Sequence, residues 1–179
     1  MSRPLATIRG LVNLGITHVV GIPDNSSGAL FDEVVRHPTI RLVTVTREGE
    51  AFALATGLWL GGASPLVVIQ NTGLLESGDS LRGTAVRAAA PIPMLITGRG
   101  YAKMERAGLT PDTPLTLDLL TRADVDSVAL LTEPTLTAWG IPFVRCSGAD
   151  EPVAAVASAV MDAREHSRPT AVVMLRELA

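Results

Sequence analysis

The sequence predicts an α/β protein, a doubly wound and mainly parallel six-stranded sheet with helices on both faces. Three observations predict it. Short runs of β-branched and aliphatic residues alternate along the chain with stretches whose apolar positions recur at helical spacing, the pattern of repeated βα units. The run Leu66-Val67-Val68-Ile69 is apolar throughout, as a strand covered on both faces must be. Aromatic residues make up only 3% of the chain. That scarcity suits a sheet packed between helices better than an all-β sandwich.

The elements follow in order. Leu5, Ile8, Leu11 and Val12 mark a helix over residues 2–14, stopped by Gly15. Residues 17–22 form a first strand, and Pro23-Asp24-Asn25-Ser26-Ser27-Gly28 is a turn rich in capping residues before a helix over 29–36. A second strand, 40–45, leads into Thr46-Arg47-Glu48-Gly49-Glu50, where two acids open an apolar, small-residue helix reaching Gly57 and beyond. The strand 66–70 ends at Asn71-Thr72-Gly73. A helix with the weaker pattern Leu74, Leu81, Ala85, Ala88 reaches residue 90, and a fourth strand over 91–97 ends in Gly98-Arg99-Gly100. Residues 102–114, polar and punctuated by Gly and Pro, are expected to form a long loop. Helical signals at 114–121, an irregular stretch at 124–135, a strand at 141–145, a helix at 150–166 and a last strand at 170–175 complete the chain.

At 179 residues the chain suits one domain spanning 1–179, and no internal repeat or linker divides it. The net charge of −3, with both signs interspersed, carries no footprint of a nucleic-acid binder. No run approaches the roughly 18 apolar residues of a membrane span. A single cysteine, Cys146, excludes an internal disulfide framework and, with no Cys/His cluster, a zinc site; a reducing cytoplasmic setting is the expectation. The hydrophobic share of 47% suggests apolar surface covered by another subunit.

Familiar motifs are missing. Gly21-Ile22-Pro23 stands where a dinucleotide fingerprint would place its glycines, and the single lysine, Lys103, makes no phosphate-binding loop. His18, His37 and His166 fit a strand start, a turn and a helix end, and no nucleophile elbow precedes any of them. Cys146 reads as a structural thiol. What remains is a set of polar strand ends at Pro23-Asp24-Asn25, Glu48, Asn71-Thr72-Gly73 and Arg99. In a parallel sheet these gather on the carboxyl edge, where ligands bind.

Taken together, Gly21-Ile22-Pro23-Asp24, the Glu, Ala and Gly spacing of residues 48–57, Gln70-Asn71-Thr72-Gly73 and Gly98-Arg99-Gly100 resemble, in that order, the pyrimidine-binding half of thiamine diphosphate-dependent 2-oxoacid decarboxylases. The likeness is to the branch of phosphonopyruvate decarboxylase and the α subunit of sulfopyruvate decarboxylase. The resemblance implies that Glu48 is the catalytic acid at N1′ of the cofactor's aminopyrimidine. A proton shared there favours the imino tautomer, whose 4′ nitrogen can unmask the thiazolium C2 as a nucleophilic ylide. Pro23, Asn71, Thr72 and Gly73 are implied to line the cofactor with it, and Asp24, Asn25 and Arg99 to face the substrate, with Lys103 and Arg106 as weaker candidates. Glu50 better suits the helix dipole.

The resemblance also implies what the chain does not supply. The family binds the diphosphate through a magnesium ion held by a Gly-Asp-Gly motif and a later Asn. Gly78-Asp79-Ser80 is a poor substitute, because no asparagine follows Asn71. The expectation is a hetero-oligomer: a diphosphate-binding β subunit would hold Mg2+, a small 2-oxoacid would be the substrate, and this chain would hold no metal. A carboligating, acetolactate synthase-like subunit is an alternative, as is a flavodoxin-like binding or assembly module without catalysis. Where the family often continues after Asn71-Thr72-Gly73 with Gly-Asn, this chain has Leu74-Leu75-Glu76-Ser77. An added acid there is expected to disfavour a dianionic phosphonate or sulfonate.

Overall fold

A computed structural model describes residues 3–147 and 152–175. Its element order is α1 (Arg3–Asn13), β1 (His18–Gly21), α2 (Gly28–Arg36), β2 (Arg41–Thr44), a 3₁₀ turn (Glu48–Glu50) running into α3 (Ala51–Leu60), and β3 (Pro65–Gln70). There follow α4 (Asn71–Glu76), the single turn α5 (Gly78–Ser80), a π-helical segment (Leu81–Val86) and β4 (Pro93–Thr97). The chain continues through α6 (Tyr101–Arg106), α7 (Leu117–Thr121), α8 (Ser127–Ala138), β5 (Phe143–Cys146), α9 (Pro152–His166) and β6 (Thr170–Met174).

The six strands form one sheet in the order β2-β1-β3-β4-β6-β5, and every neighbouring pair is parallel. Alternate side chains along the central strands divide the core in two, as the two-residue period of a strand requires. Val67, Ile69, Met94, Ile96 and Val173 pack on one side with Phe52 of α3, Leu74 of α4 and Leu136 of α8. On the other side, Leu66, Val68, Leu95 and Val172 meet Ile8 of α1, Phe31 of α2 and Val160 of α9. The doubly wound α/β fold is thus present, and wholly parallel.

Four expectations change. The helix after β3 begins at Asn71 rather than after Gly73: the strand runs straight into α4, with Gln70 as the extended residue at the junction. The helix expected over 74–90 is broken at Ser77, and its π segment lets Leu81 and Ala85 stay buried while Ala88 turns to solvent. The expected loop 102–114 begins as α6, whose Tyr101 and Met104, three apart, are both buried. The stretch 124–135, expected to be irregular, is helical from Ser127 and continues to Ala138 as α8, where the Asp126 side chain caps Val128 N–H and Pro134 is tolerated inside the helix. Gly15 does close α1 in the left-handed region, at φ +73°. The expected starts at residues 2 and 150 lie outside the described residues.

Candidate active site

The chain leaves β1 for β2 on one side and returns to β3 on the other, so the sheet order reverses between β1 and β3. A crevice outside the carboxyl ends of those strands is where such folds bind ligands. Here the strand ends are tied together by polar side chains. Asp24 Oδ1 accepts from Ser26 N (2.8 Å), Ser27 N (2.7 Å) and Ser27 Oγ (2.7 Å), forming an Asx turn into α2. Its other oxygen accepts from Gln70 Nε2 at 3.0 Å and Thr97 Oγ1 at 3.1 Å. One carboxylate therefore joins the ends of β1, β3 and β4.

Asn71 does comparable work one layer over. Its side chain is fully buried, at 0% exposure. Nδ2 donates to the carbonyl of Arg99 at 2.9 Å and to Thr132 Oγ1 of α8 at 3.1 Å, while Oδ1 accepts from Arg99 N at 3.1 Å. The amide thus holds the β4 exit loop in place. Arg99 itself projects outward: it is 60% exposed even while its Nε bonds Asp126 Oδ2 at 3.2 Å. A cleft of about 640 Å³ opens here, with Asn25, Gln70, Arg99 and Glu105 among its lining residues. Asn25 and Pro23 are exposed beside it, and Thr72, also exposed, donates to Gln70 Oε1 at 3.1 Å.

The two acids of residues 46–50 separate clearly. Glu50 folds back onto its own turn, accepting from the Thr46 N–H and hydroxyl at 3.1 Å, and these bonds hold its carboxyl below the usual range. The Glu48 carboxylate makes no hydrogen bond or ion pair to any described residue, although the Glu48 carbonyl accepts from Ala51 N–H. It is half-buried, and its side chain lies directly on Gly73, where an added Cβ would fall 2.3 Å from Glu48 Cγ. Only glycine permits that approach. Glu48 does not line the 640 Å³ cleft; the cleft and the carboxylate are linked through α4, whose first residue, Asn71, braces Arg99 and whose third, Gly73, seats Glu48.

Glu76, the acid expected to disfavour a dianionic substrate, has a cationic partner of its own. It pairs with Arg47 at 2.6 Å. Asp79 is 93% exposed and bound to Arg82 at 2.6 Å, as a surface helix residue. Among the described residues no group of three or more His, Cys, Asp or Glu is placed to hold a metal ion. The three histidines keep ordinary local partners: His18 lies beside Thr17, His37 beside Thr39 and His166 beside Asp162.

Sequence reasoning missed the brace behind this edge. Glu133 of α8, 4% exposed, accepts from Tyr101 OH at 3.3 Å and from Arg145 of β5 at 2.6 and 2.9 Å. Burial, with the nearby Glu133 charge, pushes the Tyr101 phenol up, and the acids Asp112 and Glu133 raise Arg145. The cap at Asp126 and the apolar spacing Ala129, Leu130, Leu136 were the available signals for α8; Pro134 obscured them.

Residues 5–113, more than half of the chain, match the N-terminal TPP binding domain of thiamine pyrophosphate enzymes. A phosphonopyruvate decarboxylase of Streptomyces viridochromogenes is 39% identical over 93 residues, 52% of this chain and 23% of that protein. The sulfopyruvate decarboxylase subunit alpha of Methanothermobacter thermautotrophicus is 32% identical over 95 residues, covering 53% of this chain and 58% of the subunit. The chain therefore spans about a quarter of the length of the first of these relatives. Among solved structures, the benzoylformate decarboxylase of Polynucleobacter necessarius superposes with a TM-score of 0.71 at 17% identity, covering 97% of this chain and 29% of that one. That likeness shows the fold.

Proposed function

Because the chain belongs to the thiamine pyrophosphate enzymes, as their N-terminal TPP-binding domain, we propose that it is the pyrimidine-binding subunit of a heteromeric thiamine diphosphate-dependent 2-oxoacid decarboxylase. The observation that carries this reading is Glu48, a half-buried carboxylate with no partner among the described residues, seated against a glycine at the sheet's carboxyl edge. An acid left unpaired in such a place is suited to a ring nitrogen brought to it, and these residues fit the pyrimidine half of the cofactor.

Thiamine diphosphate, when bound, supplies a carbon nucleophile for the 2-oxo carbon and an electron sink for the pair left as carbon dioxide departs. Glu48 would hold the proton at N1′ of the aminopyrimidine, and Gly73 keeps its side chain in place. Glu50, occupied by Thr46, stands apart from this role. Thr72 and Pro23 are the exposed members of the set assigned to the cofactor. Asn71 contributes by position, holding the Arg99 backbone. Asn25 and Arg99 in the open cleft would meet the substrate, Arg99 presenting its guanidinium to a carboxylate. Asp24 would act from behind them, since both its oxygens are engaged in joining the strand ends.

The diphosphate and its Mg2+ are assigned to a partner subunit carrying a Gly-Asp-Gly motif and a later Asn. Two features support a covering partner. Relatives are named as alpha subunits. Beside Glu48, the outward face of α3 shows Ala53, Leu54 and Leu60 to solvent, an apolar stripe of the kind interfaces cover.

The test is reconstitution with the Gly-Asp-Gly protein of a neighbouring reading frame, thiamine diphosphate and Mg2+, reading carbon dioxide released from a panel of 2-oxoacids. Release from at least one acid is expected, and Glu48→Gln should lower turnover about 10²- to 10⁴-fold. Unchanged turnover in the variant would sink the role given to Glu48. An assembly that binds no cofactor would sink the enzyme reading.

A further inference from the structure

Glu76 closes α4 and touches the Glu48 turn on both sides. Its carboxylate accepts from Arg47 Nη2 at 2.6 Å, just before Glu48. Just after Glu48, a Cβ on Gly49 would lie 2.8 Å from Glu76 Oε2 and 3.0 Å from Oε1, so the same carboxylate packs against the Gly49 backbone. At its other end α4 carries Gly73, on which the Glu48 side chain rests. One six-residue helix therefore seats the side chain of residue 48 and grips both of its neighbours.

We propose that Glu76 is a positioning residue for Glu48, fastening the Arg47–Gly49 backbone so that the carboxylate between them is held in one orientation. The proposal rests on the role given to Glu48 above. Among the described residues the ion pair of Arg47 is made with Glu76, although Glu50 also feels the Arg47 charge. Glu50 and Asp79 line the same cleft of about 380 Å³, but Glu50 is bound to Thr46 and Asp79 to Arg82. The pair has little to offer the fold: Arg47 is 74% exposed and Glu76 34%, and ion pairs so exposed contribute little to global stability. A contact of small value to folding that brackets an acid of large value to chemistry is placed for aim. Loss of aim by a fraction of an ångström is costly when a proton must be held at one ring atom.

Two measurements test this. In the free chain, hydrogen–deuterium exchange should show the amides of residues 47–50 exchanging faster in Glu76→Ala, with α3 and β3 unchanged. In the reconstituted assembly the same variant should lower kcat about ten- to a hundredfold while KM for the 2-oxoacid stays within about twofold. Glu76→Gln, which keeps an acceptor toward Arg47, should recover most of the loss. In a Glu48→Gln background, Glu76→Ala should add nothing further, a result that a merely structural role would not produce. Unchanged exchange at 47–50, or an equal loss of kcat with and without the Glu48 carboxylate, overturns the proposal. Local loosening in the free chain supports it even if the wild-type assembly releases no carbon dioxide, an outcome that overturns the decarboxylase reading alone.

Discussion

Gly73 has no side chain because Glu48 occupies the space one would need. Gly73→Ala would set a methyl 2.3 Å from Glu48 Cγ and 2.9 Å from its Cβ. The carboxylate must then swing away. We expect Gly73→Ala to fold, to bind its partner, and to turn over about tenfold to a hundredfold more slowly in the carbon dioxide assay. Wild-type turnover in that variant would mean that the seat is not needed. At this scale the sequence named candidate residues and was silent about how they touch. It was the family resemblance, not spacing, that assigned chemistry to Glu48 and left the helix dipole to Glu50, and Glu50 is indeed held by its own turn through Thr46. The resting of Glu48 on Gly73, and of Glu76 on Gly49, depends on how closely the β2 and β3 exits approach each other, and no local pattern encodes that distance.

Among the elements, α8 has the widest reach. Its Asp126 holds the Arg99 side chain, its Thr132 meets Asn71, and its Glu133 binds Tyr101 and Arg145. The carboxyl edge is thus braced from behind by a helix that contributes no exposed candidate residue. Asn71→Ala should expose this dependence. It removes both bonds to the Arg99 backbone and the one to Thr132, leaving the Arg99 carbonyl without its amide donor while Arg99 N–H keeps Thr97 O and the Thr132 hydroxyl keeps Val128 O, and loss of such buried bonds costs about 1–3 kcal/mol. Urea denaturation should show a lower midpoint with an unchanged slope. An unchanged midpoint would mean that water replaces the amide without loss. The sequence reading missed α8 because a proline and several threonines outweighed the capping aspartate, and it missed α6 because flanking glycines outweighed two apolar positions. Burial against the sheet, rather than local propensity, decides both. The inner strands were easier: β3, β4 and β6 are buried over nearly their whole length because helices cover them on both sides, whereas the edge strands β2 and β5 expose Arg41, Thr44 and Arg145.

For the molecule as a whole, fold class followed from the rhythm of strands and helices, and the all-parallel order followed from their alternation; the lateral order of the strands did not, since pairing partners lie far apart in sequence. The return from α9 to β6 is held by charge. Asp162 is kept below the usual carboxylate range, first by hydrogen bonds from Arg168 and further by His166. A depressed folded pKa means stability that is present above the unfolded value and disappears as pH falls through the folded one. Asp162→Asn should therefore melt at a lower temperature than the wild type at pH 7, with the gap closing below about pH 4. A gap that persists at pH 2 would rule out charge as its origin. This return matters beyond its own stability, because of where β6 sits. It lies between β4 and β5, so the pairing that covers the flank of β4 comes from residues 170–174, although the family match already ends at residue 113. During synthesis, β1 to β4 can assemble early, yet β4 keeps an open flank and β5 has no neighbour until β6 leaves the ribosome. The chain's last described strand is the one that seals the sheet, and a fragment cut at the family boundary would leave β4, apolar from Pro93 to Ile96, with an unsealed flank.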